Sequence, residues 1–261
     1  MAFRPRAWIR RKAHERVAAE WAAMPARAAR MGTDRLADLA EDARGLRRNL
    51  DLFLLAADRR AALSRVVLDT LPLPGGTDWR WRPGFMSGRI SPSGMAAPES
   101  GASLGDAARL FHDCPNAALM LQQVQNTRIT DLAGYGLRLE VLGFAGHFLS
   151  ISVDLPQEAL DGLTRNHVLR LETVIEIESE GDIYARLNIG NGPNTDQLLR
   201  HLGGMRTGQP NHHVTEFDLA YTEINENRLE KIWIDLILEN PVMNAVHLRE
   251  MIVSRHPRAN M

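Results

Sequence analysis

Asp182-Ile183-Tyr184-Ala185-Arg186-Leu187-Asn188-Ile189 alternates polar and apolar residues without a break. Side chains along a strand point to opposite faces in turn, so Ile183, Ala185, Leu187 and Ile189 share one face and Asp182, Tyr184, Arg186 and Asn188 the other. The first set is a core face. The second is richer in aromatic and hydrogen-bonding groups than a plain solvent face requires, and it reads as a ligand platform.

The same period of two recurs on either side of this stretch. Candidate strands fall at 108–113, 118–126, 136–144, 147–154, 167–178, 213–220, 230–239 and 245–254, separated by turn-rich pieces such as Gly190-Asn191-Gly192-Pro193-Asn194. Short strands at regular spacing, with no amphipathic helix of crossover length between them, argue against a parallel α/β sheet and for an antiparallel sandwich. The fold expected is mainly β, an antiparallel jelly-roll-like β-sandwich with an N-terminal helical hairpin region. Two helical turns are expected, at 156–162 begun by Pro156 and at 194–201 capped by Asn194.

Upstream the periodicity changes. Residues 8–68 read as helical, interrupted by Pro25 and Gly32, with Thr33 or Asp34 capping the second helix. In that helix Leu36, Leu39, Ala43, Leu46, Leu50, Phe53 and Ala57 fall at alternating steps of three and four, a heptad-like seam. The seam fits packing against the sheet domain or against a second copy of the chain. Residues 70–106 are rich in proline and glycine, which deny the backbone regular ladders, yet Trp79, Trp81 and Phe85 are too apolar for a free linker. Asp78 to Arg82 is expected to run extended along the sheet with Trp79 and Trp81 anchored on one face. The organisation expected is therefore a helical region at 1–69, a bridge packed on the sheet at 70–106, and a sandwich domain at 107–261.

Composition narrows the function classes. The chain has 261 residues, a formal net charge of −1 and one cysteine, Cys114, so an intrachain disulfide framework is excluded and a reducing compartment is compatible. Arg4, Arg6, Arg10, Arg11, Lys12 and Arg16 are followed by no uninterrupted apolar segment, so neither a signal peptide nor a membrane span is read. A cytoplasmic location is expected, with the basic N-terminus offering peripheral attachment at the inner membrane surface. Nucleic acid is not favoured as a partner, because no aromatic residues interleave with the basic ones.

Several stretches carry a resemblance. Leu110-Phe111-His112-Asp113-Cys114, Ala185-Arg186-Leu187-Asn188 followed by Gly192-Pro193-Asn194, Glu216-Phe217-Asp218-Leu219-Ala220-Tyr221, Trp233-Ile234-Asp235-Leu236-Ile237 and Ser254-Arg255-His256-Pro257-Arg258-Ala259 resemble a proteobacterial family of uncharacterised proteins, from about residue 79 to the end. That resemblance implies no activity and no catalytic residue. At the level of fold alone, the strand succession is similar to carbohydrate-binding and galactose-binding-like jelly rolls.

The polar sets on three strands define the candidate site. Arg170 and Glu172 on 167–178, Tyr184, Arg186 and Asn188 on 182–189, and Trp233 and Asp235 on 230–239 lie opposite their apolar series. If these strands share a sheet, aromatic rings are available for the C–H faces of a sugar, and acids, amides and guanidiniums for its hydroxyls. Asn191 and Asn194, in the glycine-rich turn, extend the candidate ligand-binding set. Two other arrangements give the same pattern: cross-strand ion pairs facing solvent, or a face covered by the N-terminal helices.

Catalytic signals are weak. His112, Asp113 and Cys114 are adjacent on a strand and point alternately, so they form no nucleophile–base chain. Glu176 and Glu178 lie about 6.7 Å apart along a strand, near glycosidase spacing, but so do many exposed acid pairs. His212-His213 lacks further ligands at a diagnostic interval, and no metal or cofactor is implied. The reading is a non-catalytic recognition protein that binds a saccharide or related polyol on a sandwich face. The alternatives are an adaptor that binds protein partners through its helices and sheet face and, behind it, a glycan-active enzyme.

Overall fold

The computed structural model describes residues 5–65 and 71–258. The chain divides into two units, Met1–Leu54 and Leu55–Met261. The N-terminal portion is two helices, α1 (Pro5–Ala28) and α2 (Thr33–Arg65). Pro25 does not end α1. It sits in the final turn, and the chain breaks only where the Arg30 and Met31 amides close back on the Arg27 and Ala28 carbonyls. The Gly32 carbonyl accepts from the Leu36 amide at 3.0 Å, so Thr33 and Asp34 lie inside the first turn of α2 instead of capping it. Ala57 and residues 66–68 of the expected helical stretch fall outside the described side chains or residues. Among the described residues no helix is long and apolar enough to cross a membrane.

The larger unit is a β-sandwich. Its strands are β1 (Trp79–Trp81), β2 (Gly94–Ala96), β3 (Ala102–Leu104), β4 (Ala108–His112), β5 (Leu119–Gln125), β6 (Tyr135–Val141), β7 (Leu149–Asp154), β8 (His167–Ile177), β9 (Ile183–Asn191), β10 (Asn194–His201), β11 (Asn211–Asp218), β12 (Leu229–Leu238) and β13 (Asn244–Pro257). A seven-stranded sheet runs β11-β8-β13-β6-β5-β2, with β1 also paired to β13, and a six-stranded sheet runs β10-β9-β12-β7-β4-β3. The strand pairings are antiparallel. Consecutive strands β6, β7, β8 and β9 alternate between the sheets, and β12 and β13 each insert between two earlier strands, which gives the jelly-roll-like order.

Alternation decides the core. Ile151, Val153, Ile183, Leu187, Ile234 and Leu236 of the six-stranded sheet and Leu137, Leu139, Leu169, Leu171, Ile175 and Val253 of the other are buried in one cluster. At roughly 25 cal/mol per Å² of apolar surface, each such side chain contributes on the order of 2 kcal/mol, so the register that keeps this set inward is strongly preferred. Trp79 and Trp81 face inward opposite Arg255 and Val253 and pack on the same cluster.

Two features depart from the sequence reading. Residues 194–201 form strand β10, not a helical turn: Gly192, at φ +60°, opens a two-residue hairpin that returns the chain along β9, and Asn194 pairs with Asn191. The eight-residue ladder with β9 outweighs the capping signal of Asn194, a tertiary override of local preference. The second is a bulge in β13, where Leu248 pairs with Ile175 and Glu250 with Val174, leaving Arg249 as the extra residue. Arg249 and Glu250, although consecutive, both reach the outer face of the seven-stranded sheet.

Candidate ligand-binding face

The outer face of the six-stranded sheet gathers five of the expected residues in register. Arg186, Asp235, Ser152 and Arg109 form one row across β9, β12, β7 and β4, with Asn188, Trp233 and Asp154 in the next row and Tyr184 beside Ile237 in the row on the other side. Tyr184 and Trp233 thus flank the central row at a separation of four residues, about 14 Å along the strands.

Asp235 is the hub. Its buried Oδ2 accepts from Arg186 Nε at 3.1 Å, Arg186 Nη2 at 2.8 Å and Asn188 Nδ2 at 2.9 Å. Asn188 also donates to the Arg186 carbonyl at 3.1 Å and is fully buried, with its Oδ1 lacking a protein partner. Arg109 pairs with Asp154 at 2.8 Å farther along the face. At the hub, the Arg186 guanidinium and the Asn188 amide are both oriented by the one Asp235 carboxylate. Trp233 is half-buried and carries the Lys231 ammonium 4.1 Å from its ring centroid, within cation–π range. The Tyr184 ring lies 4.9 Å from that of His201, whose Nε2 is 2.8 Å from Asp182. The charge of Glu239, together with its hydrogen bond to the phenol, raises the Tyr184 pKa, so the hydroxyl stays protonated and spoken for.

Four expected residues are not brought to this face. Arg170 and Glu172 belong to β8 in the other sheet, where Arg170 pairs with Glu172 at 2.9 Å and Glu216 at 3.3 Å. Alternation tells which residues point away from a core, but a sandwich has two such faces and sequence does not say which strand feeds which sheet. Asn191 and Asn194 share the parity of the core series at the β9–β10 hairpin. Asn191 is buried and donates to Asp196 at 2.7 Å, a role in closing the sheet end.

The candidate catalytic groups are also occupied. His112 is buried, with Nε2 2.9 Å from the Pro98 carbonyl and Nδ1 accepting the Cys114 amide at 3.2 Å. Asp113 turns the other way and accepts from the amides of His147 and Phe148; the Phe148 amide, with His147 assisting, lowers its pKa to about 2. The Ala145 amide, joined by those of Asn116, Ala118 and Ala117, lowers the pKa of Cys114. Glu176 and Glu178 line one cleft, but Glu176 accepts from two guanidiniums while Glu178 is exposed, so the two are not matched acids. Among the described residues no group of three or more His, Cys, Asp or Glu side chains is placed to hold a metal ion.

The seven-stranded sheet carries a polar cleft of ≈ 380 Å³ that includes Arg128, Arg138, Glu176, His247 and Arg249 in its lining. The bulge residue Arg249 donates through Nε and Nη2 to the two oxygens of Asp131, at 3.0 and 2.6 Å, and through Nη1 to Glu176 at 3.3 Å. Arg128 reaches Glu176 at 3.0 Å, and Arg138 lies 2.9 Å from Glu140 but out of line for a hydrogen bond. Burial alone would raise Asp131, yet the Arg249 fork prevails and its pKa is lowered. Burial, reinforced by the Arg249 charge, lowers His247 to about 4. Next to Arg249 in the chain, Glu250 accepts from Arg82 Nε and Nη2, each at 2.8 Å; burial nonetheless keeps the Glu250 pKa raised.

The sequence stretches singled out above, and the helices before them, match one family model over residues 1–261. The chain belongs to DUF6478, a family of unknown function. Among curated proteins no match was found. Solved structures of similar shape include the enzymatically active domain of bacteriophage CBA120 tailspike protein 4, at 8% identity and TM-score 0.41, covering 59% of this chain and 21% of that one. The CBM22-1 xylan-binding domain of Paenibacillus barcinonensis Xyn10C is similar at 9% identity and TM-score 0.37, covering 64% and 94%. The C-terminal family 22 carbohydrate-binding module of Clostridium thermocellum Xyn10B is similar at 10% identity and TM-score 0.40, covering 72% and 100%. The match to the tailspike spans about a fifth of that chain. At these scores the likeness carries no functional argument for this DUF6478 chain.

Sequence reasoning missed Arg249, Asp131 and His247. One signal was present: the consecutive charges Arg249-Glu250 interrupt the apolar alternation of β13, which marks a bulge. Nothing local connects Asp131, 118 positions earlier, to that strand.

Proposed function

We propose that the outer face of the six-stranded sheet binds a saccharide or related polyol and performs no chemistry on it. The observation that carries this reading is the buried Asp235 hub, with Arg186 and Asn188 converging on one oxygen and Tyr184 and Trp233 standing on either side along the strands. A polyol presents alternating C–H and O–H surface; the ring of Trp233 covers the former, and the Arg186 guanidinium, oriented by the buried Asp235 carboxylate that also takes the Asn188 amide, meets the latter. Recognition in preference to catalysis is supported by the central acid, since Asp235 is buried and held by three donated hydrogen bonds.

The test is a glycan array followed by calorimetry on wild type, Trp233→Ala and Arg186→Ala. Trp233→Ala is expected to weaken binding by at least about 1 kcal/mol, roughly fivefold, with its melting transition retained. Absence of any glycan binding by wild type overturns the reading. So does a Trp233→Ala protein that binds as wild type does.

A further inference from the structure

Helix α2 carries an apolar stripe in the open. Leu36, Leu46, Leu50 and Phe53 are 40%, 38%, 52% and 67% exposed, and Leu39 and Ala43 lie half-buried on the same seam. The steps 36, 39, 43, 46, 50 and 53 keep these side chains on one face over about 26 Å of helix, the 3.5-residue period of a coiled-coil seam. Exposing so many large side chains in a row on a soluble helix is unfavourable unless something covers them.

Charge placement identifies the cover. With Leu36, Ala43 and Leu50 as first seam positions of each heptad, Asp42 and Arg47 occupy the flanking positions that meet across a parallel two-stranded coil. Among the described residues neither Asp42 nor Arg47, both exposed, has an ion-pair partner. An antiparallel pairing of the same seam would set Asp42 against Asn49 and Arg47 against Ala40, with no opposite charges meeting. We propose that α2 is a homodimer seam: two copies of the chain pair in parallel and in register through Leu36, Leu39, Leu46, Leu50 and Phe53, with Asp42 of each opposite Arg47 of the other. This inference is independent of the saccharide reading, which concerns another unit of the chain.

The experiment is sedimentation equilibrium of the full chain over a wide concentration range, with four variants. Wild type is expected to show a concentration-dependent monomer–dimer equilibrium. Leu46→Asp with Leu50→Asp is expected to give monomer with the sandwich melting transition unchanged. Asp42→Arg is expected to weaken dimerisation about threefold to tenfold, since two exposed ion pairs are lost and like charges face each other. Arg47→Asp is expected to do the same, and the double swap Asp42→Arg/Arg47→Asp to restore the wild-type constant. A wild type that stays monomeric at every concentration overturns the proposal, and so does a dimer that survives the double aspartate change. A double swap that fails to restore association overturns the parallel register. Should the aspartate pair misfold, the charge-swap series at exposed positions still decides.

Discussion

Lowering the pH from 7.5 to 4.5 should cost this fold stability through one imidazole. His247 Nδ1 lies 3.1 Å from Arg249 Nη1, which can only donate, so the ring proton sits on Nε2, buried beside Gly136, where an added Cβ would come within 2.8 Å. A second proton would set an imidazolium against the Arg249 guanidinium in a desolvated place; Arg138 adds to that repulsion, while Glu176 and Asp131 oppose it. The folded-state pKa is thereby lowered from 6.5 to about 4. Between those values the unfolded chain binds a proton that the folded chain refuses. Stability from this group is therefore complete above pH 6.5 and is lost as pH falls toward 4. At 1.36 kcal/mol per pKa unit the full difference is about 3 kcal/mol, and screening at the open cleft reduces it to about 2 kcal/mol. The assay is urea unfolding of wild type and His247→Gln at pH 7.5, 6.5, 5.5 and 4.5. The carboxylates titrate alike in both proteins, so the wild type should lose about 2 kcal/mol more than the variant across this range. Parallel stability curves for the two proteins would refute the reasoning.

Two further outcomes follow from the core and the cleft. Ile234→Asp puts an unpaired charge at a fully buried position between the sheets and should abolish cooperative unfolding, measured by calorimetry; a soluble variant with a normal melting transition would show that the inward face is misassigned. Arg249→Ala leaves the buried Asp131 carboxylate without its bidentate partner and should cost about 3–5 kcal/mol in urea unfolding, much of it recovered when Asp131→Asn is added.

The alternation of Ile183, Leu187, Ile234 and Leu236 was enough, before any tertiary information, to establish a mainly β chain with two-faced strands and to sort core from surface along each one. It sufficed because the period of two is a property of the extended backbone itself. The same reading placed Tyr184, Arg186, Asn188, Trp233 and Asp235 opposite the core, and the helical period upstream disclosed the α2 seam. Which strands share a sheet was not legible, since pairing is chosen by contacts far apart in the chain: Arg170 and Glu172 have the right parity but lie on β8 in the other sheet. The β9 ladder drew 194–201 into a strand against its local capping signal, because eight paired residues outweigh one cap. The Asp131–Arg249 clamp needed both a register shift in β13 and a loop brought in from 118 residues away. Local sequence sets the periodicity of each segment. Only the folded assembly, by closing long-range pairs and admitting a bulge, decides which polar groups meet.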